Sequence, residues 1–478
     1  MKIETQRIRD LSEGIIQGID EAIAPVNSVY LAVNFLFNKK IGRAVLRSGA
    51  TQIGSQIVND KSCLGLYQHN TTGGTKVPLA VFNDSGDANA DVYAYSGGSW
   101  SKATEDLTQG EECDFVTFLD TTAILNGSDA CRSTADGTSW VTTGGNLDIA
   151  NMPQGKYGIE FKDRVYIAGV SGNLDRLYYS SIPSGGAVSW TSGNGYIDIE
   201  PEEGAGAITG LAKVPGYLLI FKERSMKRWD SNSTYPESMI TIGCPSQKAI
   251  VQTKQSVFYF NKRGIYETIG GYPRKISRRI QDIIDAIPSS YYSSVSGWGD
   301  GEYVYFSIGD ITLDDLSLNN CIVTYHINSE TWSLFSLPNE IKYFGNYVDS
   351  NGDEFTMGGD DDGNVWKLFD GTVNDGSTAI DWLLQTHPLE FQTRGRVKDL
   401  SNYIVHTKNA RNGYLSVRVN EEGKFENVGN FTHNIEEITK PVRGNYFEFR
   451  FQGQGTNTEI IGIDFDQPNI NLSQKDNA

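Results

Sequence analysis

The feature that most constrains the fold of this 478-residue chain is a pair of short apolar runs that recurs at intervals of 40 to 52 residues. The first run of each pair is rich in β-branched and aromatic residues, and a turn containing Gly, Asp, Asn or Ser separates it from the second. Runs bounded in this way are typical of antiparallel strands joined by tight turns. The first runs are centred on Leu79, Ala123, Tyr166, Leu218, Phe258, Val304 and Phe355.

Seven repeats of this length, each with at least one hairpin, predict an all-β fold and, more specifically, a seven-bladed β-propeller. A single four-stranded blade cannot bury both of its faces, and packing against neighbours in a ring solves this problem. The 51 glycines and the aromatic content of 11% agree with turn-rich β structure. Two β-sandwiches with evenly spaced hairpins are the alternative interpretation.

The segments on either side of the repeats are expected to lie outside the ring. Near the N-terminus, Ile15, Ile16, Ile19 and Ile23 have the spacing of a short amphipathic helix. Near the C-terminus, five further apolar runs, some alternating as in half-exposed strands, predict a small β-sandwich. The expected division is an N-terminal docking arm at 1–60, the propeller at 61–377, a β-sandwich-like domain at 378–468 and a disordered tail at 469–478.

The net charge limits the classes of partner. Lys and Arg total 41 against 59 for Asp and Glu, which gives a formal charge of −18. A protein that holds nucleic acid by neutralising phosphates needs a surplus of basic residues on its binding face, so that class is excluded. A protein past which nucleic acid slides remains compatible with this charge. No apolar run has the length of a membrane-spanning helix and no secretory signal is recognisable, so no membrane insertion by this chain is expected.

Sequence signatures of catalysis are missing. There is no GxSxG elbow, P-loop or HExxH motif, and the five histidines are scattered along the chain. The five cysteines include no Cys-x-x-Cys pair, which indicates neither a disulfide framework nor a zinc site and favours folding in a reducing cytoplasm. We therefore predict that the chain is not an enzyme and has no catalytic residues, cofactor or metal.

Three weaker motifs have structural interpretations. Residues 360–364 (DDDGN) offer oxygen ligands but depart from the calcium-loop pattern, which favours a solvated hairpin turn. Residues 134–140 (TADGTSW) resemble the aspartate boxes of sialidase-type propellers, in which the motif folds a turn.

Glycosidases need two acids about 5 to 10 Å apart, whereas adjacent strand residues point to opposite faces. The acid pairs Glu202/Glu203 and Asp314/Asp315 are therefore weak glycosidase candidates.

A single basic cluster stands out in this acidic chain. Arg274, Lys275, Arg278 and Arg279 precede isoleucines at helical spacing, a combination that opposes the positive end of the helix dipole. One interpretation is a solvated helix start whose isoleucines fill the core between blades. The functional interpretation is a subunit interface, in which the cluster contacts the acidic surface of a neighbouring copy or partner.

Four stretches of the repeat region share a recognisable pattern of strand and turn residues. They are 163–169 (DRVYIAG), 176–180 (RLYYS), 208–225 (from ITGLA to LLIFKERS) and 264–277 (from GIYE through GGYP to IS). These stretches resemble the tail hub, nozzle or "stabilisation" propeller proteins of short-tailed bacteriophages. The resemblance covers about residues 60–370 and consists of scaffold motifs, so no catalytic residue is carried over.

This resemblance implies a virion protein that closes the head after DNA packaging. It implies assembly in the host cytoplasm into a homo-oligomeric ring, typically of six copies, in the tail. Portal and adaptor proteins would lie above it and tail fibre or needle proteins beside it. Viral DNA would pass through the shared lumen without tight binding, because carboxylates on the wall repel phosphates.

Two other functions stay open at this point. A carbohydrate-binding or receptor-binding adhesin would show exposed aromatic side chains, for which Trp100, Trp140 and Trp190 are candidates. A glycosidase is the least favoured alternative.

Overall fold

The computed structural model describes residues 6–19, 24–86, 88–199, 206–349, 351–390, 397–410, 412–420, 422–455, 457–465 and 469–470. Ile23, Glu202, Glu203 and most of the expected tail, 471–478, lie outside the described residues. The predicted all-β class is confirmed, since strands dominate and one short α-helix is present in the described part. Within that same part, no helix is both long and apolar enough to cross a lipid bilayer.

The N-terminal segment contains seven short strands in its described part. They are β1 (Gln6–Ile8), β2 (Gly14–Ile15), β3 (Ser28–Val29), β4 (Leu31–Val33), β5 (Phe35–Leu36), β6 (Ala44–Leu46) and β7 (Ala50–Gln52).

Five antiparallel sheets of four consecutive strands follow in the described residues. The first comprises β8 (Cys63–Asn70), β9 (Lys76–Asn83), β10 (Asn89–Ser96) and β11 (Ser99–Thr108), and the second β12 (Asp114–Phe118), β13 (Thr121–Leu125), β14 (Arg132–Thr134) and β15 (Trp140–Val141). The third comprises β16 (Tyr157–Phe161), β17 (Arg164–Ala168), β18 (Arg176–Tyr179) and β19 (Gly195–Asp198). The fourth comprises β20 (Ile208–Val214), β21 (Tyr217–Lys222), β22 (Met226–Trp229) and β23 (Glu237–Ile240), and the fifth β24 (Ile250–Gln252), β25 (Val257–Asn261), β26 (Gly264–Thr268) and β27 (Arg274–Lys275).

The next two repeats belong to larger sheets. The first of them contains β28 (Ser296–Gly299), β29 (Tyr303–Leu313), β30 (Leu316–His326) and β31 (Thr331–Ser336). The second contains β32 (Ile341–Val348), β33 (Glu354–Asp360), β34 (Val365–Leu368), β35 (Asn374–Asp375) and β36 (Thr378–Ala379). The remaining strands are β37 (Asp381–Gln385), β38 (Lys398–Lys408), β39 (Gly413–Val419), β40 (Glu422–Phe431), β41 (Ile435–Gly444), β42 (Phe447–Gln454), β43 (Glu459–Phe465) and β44 (Asn469–Ile470).

The first strands of the repeats surround a common centre. In the order β8, β12, β16, β20, β24, β28 and β32, each contacts the next, and β32 contacts β8. Antiparallel four-stranded sheets arranged side by side around a centre are the architecture of a β-propeller. Apolar side chains at the sheet interfaces are almost fully buried, as for Leu79, Ile167, Leu219 and Phe258, each 0% exposed.

The described part of residues 1–60, a segment expected to form an arm outside the ring, supplies strands to the sheets. β7 pairs with β34, with Ala50 opposite Leu368, and thereby adds a fourth strand to β32–β34. β4 lies between β31 and β37, so it joins a ring sheet to the C-terminal strands. A strand that is buried on both faces has a continuous apolar sequence rather than an alternating one. The apolar run from Ser28 to Phe37 has this character.

The amphipathic helix predicted around Ile15 and Ile16 is wrong. Both side chains are buried, but Ile15 ends β2, which pairs in parallel with β3, and the Ile16 N–H donates to the Val29 carbonyl at 3.0 Å. Gly14 and Gly18 have φ values of +68° and +66°, a left-handed conformation that a right-handed helix does not contain. Isoleucine spacing alone therefore could not distinguish a helix from a short extended segment.

The C-terminal strands form two sheets that share an apolar core. β37, β42, β39 and β40 extend the sheet of β28–β31 through β4, whereas β38, β41 and β43 belong to a separate sheet with β5 and β6. Tyr403 on β38 lies edge-on to Phe449 on β42, with ring centroids 5.8 Å apart, and Phe449 lies 4.7 Å from Phe465. Within the segment expected to be a disordered tail, residues 469–470 form β44, which pairs with β38.

Candidate functional site

The ring centre is crossed by an ion pair at the end where the inner strands begin. Glu112 precedes β12 and Lys248 precedes β24, and the Lys248 Nζ atom lies 2.5 Å from Glu112 Oε1. These strands belong to the second and fifth sheets of the chain, so the pair spans the ring. The Lys248 ammonium also lies 5.3 Å from the ring centroid of Tyr343 on β32, and the lysine side chain is only 9% exposed. The pair therefore joins segments on different sides of the ring at this end.

Among the carboxyl groups at this end, Asp114 has a strongly raised pKa. Burial raises its pKa to about 7, against the lowering effect of the Gly158 backbone N–H, which donates to Oδ2 at 3.0 Å. Burial, together with the nearby charges of Glu112 and Asp114, also raises the pKa of Tyr157 to about 12. The end of the axis that bears the ion pair is thus acidic, with Lys248 buried and Glu112 open to solvent.

A carboxyl group with a pKa near 7 could act as a general acid or base, but its neighbourhood holds no partner for such chemistry. Its hydrogen bonds in the described residues come from backbone N–H groups. His69 contacts Thr122 and the Ala135 carbonyl instead. Among the residues that the structure describes, no group of three His, Cys, Asp or Glu side chains is arranged to hold a metal ion.

All five cysteines are buried free thiols. Burial raises the pKa of Cys63, Cys131 and Cys244 to about 12 and that of Cys113 and Cys321 further. Thiols of this kind are structural rather than nucleophilic.

The basic cluster predicted as an interface is partly neutralised within the chain. Arg274 pairs with Glu267 at 2.9 Å and with Glu330 at 3.0 Å, both on exposed sites. Lys275 Nζ donates to the side-chain oxygen of Gln281 at 2.5 Å.

The other two arginines lie on the 3₁₀ turn Ser277–Ile280, which runs into the α-helix Gln281–Asp285. Arg279 pairs with Glu13 at 2.9 Å. Arg278 is exposed and has no carboxylate within ion-pair distance in the described part of the chain. It is therefore the member of the cluster most available to a partner.

The isoleucines that follow the cluster do fill the core, which confirms that part of the first interpretation. Their exposed fractions are 0% for Ile280, 1% for Ile283, 0% for Ile284 and 2% for Ile287.

The predicted aspartate-box turn is confirmed. Asp136 Oδ1 accepts hydrogen bonds from the backbone N–H groups of Thr138 at 2.8 Å and Ser139 at 2.7 Å, and the Thr134 hydroxyl bonds it at 3.0 Å. The carboxylate organises the turn and has no catalytic partner there.

The solvated-turn interpretation of residues 360–364 is wrong about the solvent. Asp360 is 0% exposed, and its carboxylate accepts hydrogen bonds from the backbone of Asn364 and from the indole N–H of Trp366. The turn is covered because Ile57 donates its N–H to the Gly363 carbonyl at 2.9 Å. Contact with a segment some 300 residues earlier in the chain leaves no local trace in the sequence.

The prediction of exposed tryptophans is also wrong. Trp190 is 6% exposed and donates its indole N–H to the Leu147 carbonyl at 2.9 Å. Trp100 is half-buried, and its indole N–H bonds the Ile53 carbonyl at 2.6 Å. Trp140, on β15, is likewise half-buried. Small polar residues flank these tryptophans in the sequence and suggested loops, but each ring packs inward.

Of the two proposed acid pairs, the described one is not arranged for glycoside hydrolysis. Asp315 is held by Arg450 at 2.7 Å, and Asp314 occupies a turn with φ of +49° between β29 and β30.

A cleft that the sequence did not predict opens at the other end of the inner strands. Its volume is about 840 Å³, and it lies where β24 and β28 end and β33 begins. Its main side chains are Trp298, Asp300, Tyr305, Asn328, Asn346, Glu354, Phe355 and Phe369. The sequence signal, a tryptophan beside a Gly-Asp-Gly turn, is too common to identify a site by itself.

No family model and no curated protein matches the chain. Among solved structures, YCF48 bound to D1 peptide matches at 11% identity with a TM-score of 0.41, covering 66% of this chain and 94% of that chain. The extracellular domain of the one-component system BT4673 from B. thetaiotaomicron matches at 9% identity with a TM-score of 0.43, covering 95% of this chain and 64% of that chain. The N-terminal domain of Nup159 matches at 9% identity with a TM-score of 0.36, covering 67% of this chain and 95% of that chain. Similarities this low identify no function, so the chain is characterised by its own architecture, an all-β protein of propeller-like sheets.

Proposed function

We propose that the chain is a structural, non-enzymatic subunit of a short-tailed bacteriophage tail, a nozzle or hub that forms a ring of six copies. It would be assembled in the host cytoplasm and reside in the virion below the portal and adaptor, beside the tail fibre or needle proteins. In this position it would close the packaged head and guide the genome during ejection. The motif resemblance supplies the family, and the geometry of the sheets supports a structural role.

We also propose that the ring of sheets is a seven-bladed propeller and that the sheets of residues 378–468 form a β-sandwich. The closed order of contacts between inner strands supports the first statement. The contact of Tyr403 with Phe449 across two sheets supports the second. A cryo-EM map with a different number of blades would contradict the first statement.

The observation that carries the conduit proposal is the ion pair between Glu112 and Lys248. Because this contact spans the ring of the single chain, the ring leaves no room for a duplex, and DNA would have to pass between subunits, along a lumen walled by their outer surfaces. A net charge of −18 per chain suits such a wall. Carboxylates repel the phosphate backbone, whereas Lys and Arg would release counterions and bind it.

A conduit wall must also be rigid, and the junction between the N-terminal segment and the ring provides rigidity. Arg47 is 3% exposed and forms a two-pronged ion pair with Asp375 at 2.6 and 2.8 Å. The same guanidinium donates to the Asn34 side chain at 2.8 Å and to the Ser336 carbonyl at 3.0 Å. One side chain thus joins segments more than 300 residues apart.

The test is the oligomeric state of the purified chain, measured by mass photometry and negative-stain microscopy. We expect particles of six times the 52.7 kDa chain mass with a central lumen. Arg278→Glu should reduce assembly without lowering the melting temperature. Lys76→Glu, which reverses an exposed charge on the first sheet, is the matched control and should assemble normally.

Two results would contradict the proposal. One is a ring whose inner surface is basic, and the other is a monomeric state of this protein in purified virions. Normal assembly of Arg278→Glu would reject the basic cluster as an interface and leave the ring itself in place.

A further inference from the structure

We propose that the 840 Å³ cleft beside β28 is a binding site for a neutral oligosaccharide. This inference does not rest on the proposed tail function, because the cleft is contained within one chain. It lies at the opposite end of the inner strands from the Glu112–Lys248 pair, since β24 begins beside Lys248 and ends at Gln252 in the cleft wall.

The size and lining of the cleft suit a small ligand. Ligand pockets typically have volumes of about 300–1,000 Å³ and combine aromatic surface with a few placed polar groups. Here Trp298 and Phe355 are half-buried lining residues. The Lys367 ammonium lies 3.1 Å from the centroid of the Phe355 ring and covers one of its faces, so Trp298 is the ring on which the stacking argument rests. The C–H groups of a pyranose carry partial positive charge and pack favourably on the negative face of an aromatic ring.

Phe369 and Tyr305, two aromatic side chains that line the cleft, are fixed by contacts within the chain. Phe369 lies 5.0 Å from Tyr305 and 5.3 Å from Phe335, measured between ring centroids. Its φ is +56°, a conformation that is rare for a bulky residue and that clusters at functional sites. The Tyr305 hydroxyl donates to Asp300 Oδ2 at 2.8 Å, which fixes the side chain at the cleft wall.

Polar groups in the cleft are available to ligand hydroxyls. In the described residues, the amides of Asn328 and Asn346 and the carboxylate of Glu354 have no protein partner. Amides can both donate and accept hydrogen bonds, and sugar hydroxyls also do both, so the two kinds of group can pair in either direction. By contrast, Asp300 Oδ1 is already occupied by the backbone N–H groups of Glu302 and Tyr303.

The charges around the cleft nearly cancel. Among the lining residues, Asp300 and Glu354 are acidic and Lys254 is basic, and the Lys367 ammonium lies on the Phe355 ring. A neutral ligand suits a site without net charge, whereas a phosphate or an acidic sugar would meet two carboxylates as well as the two ammonium groups and no guanidinium fork among the lining residues. Asp300 is committed to turn and tyrosine hydrogen bonds, which favours binding without hydrolysis.

The test is binding of the full chain to immobilised neutral and acidic glycans, followed by calorimetric titration with the oligosaccharide that binds. We expect neutral hexose oligosaccharides to bind and acidic ones not to bind. Trp298→Ala should weaken binding about tenfold, the equivalent of about 1.4 kcal/mol. Asn346→Ala is the second variant, because it removes a hydrogen-bonding group with little change in packing. Tyr272→Ala, at an aromatic site that is 80% exposed and outside the cleft, is the matched control.

Three outcomes would overturn the proposal. They are no binding of any neutral glycan, binding of acidic glycans alone, and undiminished binding by both Trp298→Ala and Asn346→Ala. Ring assembly is measured separately by particle mass, so failure of glycan binding and failure of the tail function give different results.

Discussion

Replacing Asp114 by Asn tests whether burial disfavours the charged form of this carboxyl group at the end of the ring axis that bears the ion pair. Burial raises the pKa of this carboxyl from 3.8 to about 7. At 1.36 kcal/mol for each unit of pKa, this difference changes the free energy of unfolding by at most about 4 kcal/mol between pH values below 3.8 and pH values above 7. Asn keeps an oxygen to accept the hydrogen bond from the Gly158 N–H, but it cannot ionise.

The sign follows from proton binding in the two states. Between pH 4 and pH 7 the folded chain retains a proton on Asp114 that the unfolded chain has released. Stability contributed by this group is therefore present at low pH and is lost as pH rises toward the folded pKa. We expect Asp114→Asn to match the wild type near pH 4 and to exceed it by up to about 4 kcal/mol at pH 8.

The assay is equilibrium unfolding in guanidinium chloride at several pH values, with the difference between wild type and variant taken at each pH. Asp136→Asn is a control of opposite sign. Despite the raising effect of burial, the Ser139 and Thr138 backbone N–H groups hold the pKa of Asp136 below its usual value. Its replacement should therefore destabilise the chain at neutral pH and less so in acid. The reasoning would be refuted if the difference in unfolding free energy between the wild type and Asp114→Asn did not change with pH.

Two further predictions concern buried groups. Arg47→Ala should lower the free energy of unfolding by about 3–5 kcal/mol, because it leaves the Asp375 carboxylate buried without its partner; a loss below 1 kcal/mol in denaturant titration would show that water reaches this site. The five cysteine thiols should not react with Ellman's reagent in the native chain and should all react after unfolding, because each is buried with a raised pKa; a rapidly reacting thiol in native protein would contradict their burial.

Local patterns in the sequence were sufficient to predict the repeating hairpins. The strand runs around Leu79 and Phe258 are detectable because alternation, β-branching and turn residues act over a few neighbours. The same holds for the isoleucines from Ile280 to Ile287, whose helical spacing and apolar character required a buried face. These features depend on interactions within about ten residues of the chain.

Contacts between distant segments could not be predicted in this way. Nothing near Ala50 indicates that it pairs with Leu368, and nothing near Glu112 indicates Lys248 as its partner. Gly49 reflects one such contact indirectly. A Cβ atom at this position would lie 1.9 Å from the Asn374 carbonyl oxygen, so the close approach of the two segments requires glycine. A glycine required by close approach looks in the sequence like any turn glycine.

The sequence did not indicate the cleft, for a related reason. Its walls come from several turns, and none of Trp298, Asn346 and Phe355 has a spacing that marks a ligand site. Only the ring brings them together, because it places the ends of successive sheets side by side. Trp100, Trp140 and Trp190, which the sequence suggested as exposed, pack inward against the sheets.

The placement of β4 and β7 has a consequence for how the protein is made. Both strands leave the ribosome early, yet their partners β31, β37 and β34 are translated some 300 residues later. At roughly 5–20 residues per second, the apolar strand β4 around Leu31 waits for at least about fifteen seconds without its partner strands. During this interval the nascent chain depends on chaperones or on provisional contacts to avoid aggregation, and a product of premature termination never completes its last sheets.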